Sequence, residues 1–200
     1  NTLTLAADTV ADSGTINIGA TSAGVTITAV SAADYETMSI VSSGGANTIT
    51  TLTADDVTSL TVTGSTALTI TNAIANATAL ATVYASAMTK AVSINASNSA
   101  VALTFTGGSG GDTLTSGSGN DTLTGGSGND VLSSGNGTNT ITGGAGDNTL
   151  TGGTGVDTIT SGDGADTIDS AAGNDTITSG GGNDTLTFDT DGDLNKNDTV

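Results

Sequence analysis

The 200-residue sequence lacks cysteine, proline, histidine, arginine and tryptophan. Without cysteine the chain forms no disulfide, and without histidine it has no zinc-protease motif and no catalytic dyad or triad. The phosphate-binding pattern GxxxxGK[ST] is also absent. With only two Phe and two Tyr, no aromatic-lined sugar cleft is available. The sequence therefore predicts a protein that is not an enzyme.

Positively charged residues are almost as scarce. The sequence has only Lys90 and Lys196 against 20 acidic residues, which gives a formal net charge of −18. This imbalance argues against binding to nucleic acid or to an anionic membrane. No run of 18 apolar residues exists, so no membrane span is predicted. The sequence contains no basic segment followed by an apolar one, so no classical signal peptide is visible. The sequence starts at Asn1 and stops abruptly at Val200, and we expect a fragment of a longer protein.

A nine-residue repeat runs without a break through nine copies in residues 107–187. Glycine always occupies the fourth position, and an aliphatic residue always occupies the eighth, as in Leu114 and Ile141. Glycine permits turn conformations in positions one to six, whereas the Thr-aliphatic-Thr pattern favours a short strand in positions seven to nine. Two repeats then form one coil, and stacked coils form two parallel sheets around a thin core.

The sixth position of each repeat is acidic or an amide. Repeats two apart lie on the same edge, about 4.8 Å apart. Two carboxylates at that spacing repel by roughly 1 kcal/mol in water and by about 3–4 kcal/mol at an effective dielectric near 20. Carboxylates and turn carbonyls form the oxygen-only shell that Ca²⁺ prefers. We therefore expect a metal site between stacked turns, with the following ligands: Asp112, Asp121, Asp130, Asn139, Asn148, Asp157, Asp166, Asp175 and Asp184.

The stacking predicts seven gaps between turns. Three have carboxylates on both sides: Asp112/Asp130, Asp166/Asp184 and Asp157/Asp175. The other four involve Asn139 or Asn148, and we expect these to bind metal weakly or not at all. Asp147, directly before Asn148, is a candidate for a partial substitute.

The repeat resembles the GGxGxDxUx nonapeptide of RTX proteins, a signature of calcium-binding parallel β-helices. The resemblance covers residues 107–187, about two-fifths of the chain. It implies a right-handed β-roll with Ca²⁺ in the turns, and export by a type I secretion system with an uncleaved C-terminal signal. The departures are Asn139 and Asn148 at the acidic position, Ala171 at the second position, and Ser at the first position of five repeats.

Residues 1–106 show a longer period of about 22 residues, a length within the range of solenoid repeats. Met38-x-Ile40, Leu60-x-Val62 and Val83-x-Ala85 recur at that spacing, with other alternating runs between them. We interpret this part as a Thr/Ala-rich parallel β-solenoid that continues into the roll. An independent β-sandwich is the alternative, and the Ala-rich residues 73–90 are also compatible with a short helix.

The acidic end, residues 188–200, interrupts the nine-residue repeat. Asp189, Asp191 and Asp193 stand at alternate positions, which is compatible with one more Ca²⁺ site or a cap on the roll. A solvated acidic end explains the same pattern.

An all-β fold rich in Thr and Ala, with calcium turns and no catalytic residues, is similar in composition and architecture to RTX-type surface-layer (S-layer) proteins of Caulobacter-like bacteria. The resemblance implies a structural protein of the extracellular cell surface that self-associates into a two-dimensional lattice when Ca²⁺ is present, and contacts cell-surface polysaccharide through another region. The alternatives are an accessory module of a secreted enzyme and the stalk of a large adhesin.

Overall fold

The computed structural model describes residues 2–4, 12–19, 23–32, 35–75 and 77–187. These residues form two parallel sheets that face each other along the whole solenoid, and consecutive strands alternate between them. The ten-stranded sheet contains β1 (Thr2–Thr4), β3 (Thr26–Ser31), β5 (Asn47–Thr53), β7 (Leu68–Ile70), β9 (Val92–Asn95), β11 (Thr113–Thr115), β13 (Val131–Ser133), β15 (Thr149–Thr154), β17 (Thr167–Ala172) and β19 (Thr185–Thr187). The nine-stranded sheet contains β2 (Ser13–Gly19), β4 (Thr37–Ser43), β6 (Ser59–Gly64), β8 (Thr82–Tyr84), β10 (Thr104–Thr106), β12 (Thr122–Ser127), β14 (Thr140–Ala145), β16 (Thr158–Asp163) and β18 (Thr176–Thr178).

All strand pairings among the described residues are parallel, which confirms the predicted solenoid and excludes the β-sandwich alternative. Between β2 and β11 the coils are long and differ in length, since Ser13 pairs with Thr37 but Ser93 pairs with Thr113. From β10 and β11 onward, every coil consists of two nonapeptides, as when Thr104 pairs with Thr122. Both sheets continue through this change in coil length.

The core is a single column of aliphatic side chains between the two sheets. In the long coils a strand buries two or more of them, such as Met38 and Ile40 of β4. In the nonapeptide repeats a strand buries one aliphatic side chain, at the eighth position, because the first position of the following repeat, which is also buried in β12, β14 and β16, is Gly or Ser. The aliphatic residues predicted at that position are buried from Leu114 to Ile177, and Leu186 is half-buried.

Two local predictions were wrong. Residues 73–75 and 77–90 contain no helix; they form turns and β8, because Ile74, Leu80 and Val83 point into the solenoid core. Most strands in the roll are also longer than the predicted Thr-aliphatic-Thr unit. They extend through positions one to three of the following repeat, where Gly126 pairs with Gly144 and Gly144 with Gly162.

The described residues contain no helix that is long and apolar enough to cross a membrane.

Candidate metal sites in the turns

Close stacking of the turns depends on glycine at the second position of the repeat. Gly144 adopts a φ of 108°, in the region that side chains with a Cβ rarely enter. A Cβ on Gly144 would also collide with the carbonyl oxygen of Gly126 in the preceding coil. Glycine here therefore lets each turn lie directly on the one before it.

The sixth-position residues lie in two buried columns, one on each edge of the roll. Strand pairing places Asp130 beside Asp112, and Asn139 beside Asp121, as the stacking of repeats two apart predicted. Eight of the nine predicted ligands in the roll are at most 1% exposed, and Asp184 is half-buried. These carboxylates are therefore shielded from water, and a buried charged carboxylate is costly unless a cation pairs with it.

One oxygen of each sixth-position side chain binds the backbone of the preceding coil. Oδ1 of Asp130 accepts a hydrogen bond of 2.6 Å from the N–H of Asp112, and Oδ1 of Asp175 accepts one of 2.8 Å from the N–H of Asp157. The same bond continues along both columns, at 2.7 to 3.0 Å, in the pairs Asp121–Asn139, Asp130–Asn148, Asn139–Asp157, Asn148–Asp166 and Asp166–Asp184. The columns begin in the long coils, where Val92 and Leu103 donate to Asp112 and Asp121.

The other carboxylate oxygen has no such partner in most Asp repeats. Among the described residues, no hydrogen-bond donor reaches the buried Oδ2 of Asp121, Asp130, Asp157 or Asp166. Asp112 is different, because its Oδ2 accepts a bond of 2.7 Å from the N–H of Gly108. An unpartnered buried carboxylate oxygen is costly unless a cation faces it.

Burial also changes the acidity of these groups. Loss of hydration raises the pKa of Asp130 and of Asp157 to about 6, and the neighbouring charges of Asp112 and Asp175 add to the respective increases. Loss of hydration raises the pKa of Asp112 and Asp121 as well. The protein environment by itself therefore disfavours the charged form, which a bound cation would stabilise.

Backbone carbonyl oxygens lie close to the unpartnered carboxylate oxygens. A Cβ placed on Gly152 would lie 2.6 Å from Oδ2 of Asp157 and 2.6 Å from the carbonyl oxygen of Ser170 in the next coil. A Cβ on Gly125 would meet Oδ2 of Asp130 and the carbonyl oxygen of Gly143 in the same way. These oxygen-only surroundings fit a hard cation such as Ca²⁺.

Most donor atoms of such a site would come from the backbone. No cluster of three or more carboxylate side chains converges anywhere in the described residues. Ca²⁺ accepts backbone carbonyls as readily as carboxylates, so one carboxylate and several turn carbonyls suit it. In this arrangement the ion would neutralise the buried carboxylate and join consecutive coils.

In the two Asn repeats, an amide nitrogen takes the place of the unpartnered carboxylate oxygen and donates to backbone carbonyls. Nδ2 of Asn148 donates to the carbonyl oxygen of Gly146 at 2.9 Å and lies 3.5 Å from that of Ser161. Nδ2 of Asn139 donates to the carbonyl oxygen of Gly137 at 3.3 Å. These nitrogens stand where the Asp repeats place Oδ2, so they show which carbonyls face that position.

Serine at the first position has a role that sequence reasoning missed. Oγ of Ser116 donates to the carbonyl oxygen of Ser134, and Oγ of Ser134 donates to that of Gly152, at 2.9 and 2.5 Å. Oγ of Ser161 donates to the carbonyl oxygen of Ser179 at 2.5 Å. These hydroxyls join consecutive coils beside the acidic columns, and their regular spacing of one coil was a signal in the sequence.

Asn47 is a second residue that sequence reasoning missed. It is buried in the long coils, in line with the column that contains Asp112, and its Oδ1 accepts a bond from the N–H of Val25. Its Nδ2 donates to Ile18 O, Ser42 Oγ and Ser43 O at 2.9 to 3.1 Å. The signal was its position two residues before the buried Ile49, the same spacing as in the nonapeptides.

The remaining predicted ligands lie elsewhere. Asp147 is exposed on an outer column, where its Oδ1 accepts a bond of 2.8 Å from the N–H of Ala165. Asp189, Asp191 and Asp193 lie outside the described residues.

Comparison with known families agrees with this geometry. The family model for the RTX calcium-binding nonapeptide repeat matches four times, at residues 106–141, 133–168, 142–177 and 160–194. This part of the chain is an RTX repeat region. RTX repeats bind Ca²⁺, so the protein binds several calcium ions, and RTX proteins are typically extracellular. No curated protein and no solved structure shows a significant match to the chain.

Proposed function

We propose that the chain is part of a structural, calcium-dependent protein of the bacterial cell surface that a type I system secretes and that assembles into a two-dimensional S-layer lattice. The observation that supports the calcium dependence is the buried Oδ2 of Asp121, Asp130, Asp157 and Asp166, which no described donor reaches. Such a roll is unfavourable where Ca²⁺ is scarce, as inside the cell, and favourable at the higher Ca²⁺ concentrations outside. The chain would therefore cross the envelope unfolded and fold once outside.

Self-association is supported by the outer face of the nine-stranded sheet. Two files of side chains run along this face from β2 to β18, and every member of both carries a hydroxyl group. The first file is Ser13, Thr37, Ser59, Thr82, Thr104, Thr122, Thr140, Thr158 and Thr176; the second is Thr15, Ser39, Thr61, Tyr84, Thr106, Thr124, Thr142, Thr160 and Thr178.

The hydroxyl files extend beyond the nonapeptides into the long coils, so the repeat motif alone does not account for them. The corresponding files on the ten-stranded sheet are interrupted by Asn95, Val131 and Asp169. On a chain with a net charge of −18, two files of uncharged side chains are where two copies meet with least repulsion. We therefore assign the lattice contact to the outer face of the nine-stranded sheet.

Electron microscopy of the metal-stripped protein, before and after addition of millimolar Ca²⁺, tests the proposal. Ordered sheets that appear only with Ca²⁺ would support the lattice. Dispersed, folded rods would contradict it and favour an accessory module of a secreted enzyme or an adhesin stalk. Circular dichroism that is identical with and without chelator would contradict calcium-dependent folding itself.

A pair of charge variants tests the assigned face. Thr142→Glu adds a charge to the nine-stranded sheet, and Thr151→Glu adds the same charge to the ten-stranded sheet, at equally half-buried positions. We expect Thr142→Glu to abolish the sheets seen by microscopy and Thr151→Glu to leave them intact. Equal effects of the two variants would contradict the assignment of this face.

A further inference from the structure

Asn139 and Asn148 belong to consecutive repeats, so they occupy the two turns of one coil, residues 134–151. Their amide nitrogens donate to the fourth-position carbonyls of Gly137 and Gly146. In Asp130 and Asp157 the equivalent atom is an oxygen, and no described donor reaches it. The amide therefore supplies hydrogens at the position where an Asp repeat requires a cation.

Each sixth-position side chain ends in two polar atoms, Oδ1 and either Oδ2 (Asp) or Nδ2 (Asn), and these two atoms face different gaps between coils. Oδ1 faces the preceding coil, and Asn148 fills this role as well as Asp does, because it accepts the N–H of Asp130 at 2.9 Å. The second atom faces the following coil: Nδ2 of Asn148 lies near Ser161 O, just as Oδ2 of Asp157 and Ser170 O meet beside Gly152. An Asn thus changes only the gap that follows it.

We propose that the coil 134–151 holds its turns without calcium, with the amides of Asn139 and Asn148 in place of metal in the gaps Asn139/Asp157 and Asn148/Asp166. Two of the seven gaps would then lack calcium, rather than four, since the gaps Asp121/Asn139 and Asp130/Asn148 retain the unpartnered Oδ2 of Asp121 and Asp130. The inference rests on the calcium-dependent folding proposed above.

Asn47 shows the same arrangement in the long coils, outside the RTX repeats. Its Oδ1 accepts a hydrogen bond from the N–H of Val25 in the preceding coil, and its Nδ2 donates to three oxygens at the ends of β2 and β4. A buried Asn thus forms hydrogen bonds through both its oxygen and its nitrogen in a coil that has no carboxylate column. Asn139 and Asn148 provide the same kind of metal-free hydrogen bonding in the middle of the calcium-binding roll.

Equilibrium dialysis of the metal-stripped protein against radioactive calcium tests the proposal. Asn148→Asp and Asn139→Asp should each bind one ion more than the original chain, and the double variant two more. Asn129→Asp is the matched control, because it adds the same charge on the exposed outer column, where Asp147 already accepts the equivalent backbone bond. Asn129→Asp should bind no more calcium than the original chain.

Unchanged calcium binding in Asn139→Asp and Asn148→Asp would overturn the proposal while leaving calcium-dependent folding intact. An original chain that binds calcium without any change in structure would overturn the folding proposal instead.

A measurement on the original chain covers the case in which the variants do not fold. In amide-proton exchange by NMR with Ca²⁺ present, the side-chain amides of Asn139 and Asn148 should exchange far more slowly than that of the exposed Asn183. Exchange as fast as that of Asn183 would overturn the proposal.

Discussion

The N–H of Asp112 donates a hydrogen bond of 2.6 Å to Oδ1 of Asp130, a residue that follows it by one full coil. The acidic residue of the repeat therefore has two separate roles. Oδ1 completes the backbone hydrogen bonding between coils, whereas Oδ2 of Asp130 is buried and no donor among the described residues reaches it. The two roles can be distinguished by substitutions that remove one of the two oxygens and keep the other.

Asp130→Asn keeps the acceptor for the N–H of Asp112 and replaces Oδ2 with an amide. We expect this variant to stabilise the metal-free roll and to bind one calcium ion fewer. Asp130→Leu removes both oxygens and leaves a buried N–H without an acceptor, which costs about 1–3 kcal/mol with or without calcium. Chemical denaturation in calcium and in chelator measures both effects, and equal stabilities for the two variants would contradict the separate role of Oδ1.

The metal-free roll should be more stable in acid than at neutral pH. Burial raises the pKa of Asp130 and Asp157 to about 6 from an ordinary value of 3.8, so the folded state binds more protons than the unfolded chain between those values. The resulting stability is fully present below about pH 4 and is lost as the pH rises through 6, by roughly 1.4 kcal/mol for each unit of pKa difference.

Circular dichroism of the metal-stripped protein between pH 4 and 7.5, which measures the folded fraction, checks this dependence. A double variant, Asp130→Asn with Asp157→Asn, should show a weaker decline with rising pH, which separates the two buried groups from the general effect of net charge. With Ca²⁺ present the dependence should reverse, since protons compete with the metal for the carboxylates. A metal-free protein that becomes more stable as the pH rises would contradict the prediction.

Ala171 is the one residue other than glycine with a positive φ, 60°, in the part of the chain that the structure describes. It pairs with Gly153, whose φ is 112°. Ala171→Gly should stabilise the roll by about 0.5–1 kcal/mol, because relief of the left-handed conformation exceeds the added entropy of the unfolded chain. Urea denaturation with saturating calcium measures the change.

The reverse substitution, Gly to Ala, at the paired residue Gly153 should destabilise the roll. A Cβ on Gly153 would collide with the carbonyl oxygen of Gly135, in a backbone that alanine rarely adopts. We expect Gly153→Ala to lose more than about 1 kcal/mol in the same measurement. A neutral Gly153→Ala would show that the turns can move apart.

Asn47→Asp should destabilise the long coils. The substitution keeps Oδ1 for the N–H of Val25 but replaces the amide that donates to three oxygens with a second carboxylate oxygen. The expected loss in chelator is about 1–3 kcal/mol, typical of a buried polar group without its partner. Asn17→Asp on the exposed face of β2 is the control, and equal unfolding curves for the two variants would contradict a structural role for Asn47.

The sequence predicted the parallel solenoid because its two strongest signals, the glycine period and the inward aliphatic residue, are local. The edge position of Asp112 and Asp130 followed from the two-repeat coil alone. The role of Oδ1 did not follow, because a bond between a side chain and the backbone of another coil depends on how far the turns approach each other. Asn47 was missed for a different reason: its spacing to Ile49 matches that of the nonapeptides, but this pattern is not repeated along the Thr-rich long coils.

The strict alternation of repeats between two sheets restricts how a roll of this kind can change in length. An insertion of two nonapeptides adds one coil, lengthens the solenoid by about 4.8 Å and leaves every later residue on its original face. An insertion of a single nonapeptide preserves the acidic columns but moves all later repeats to the opposite sheet, and one placed before β17 would bring Asp169 into the hydroxyl files. Gene duplication can therefore extend the roll without disturbing its outer faces only in pairs of nonapeptides.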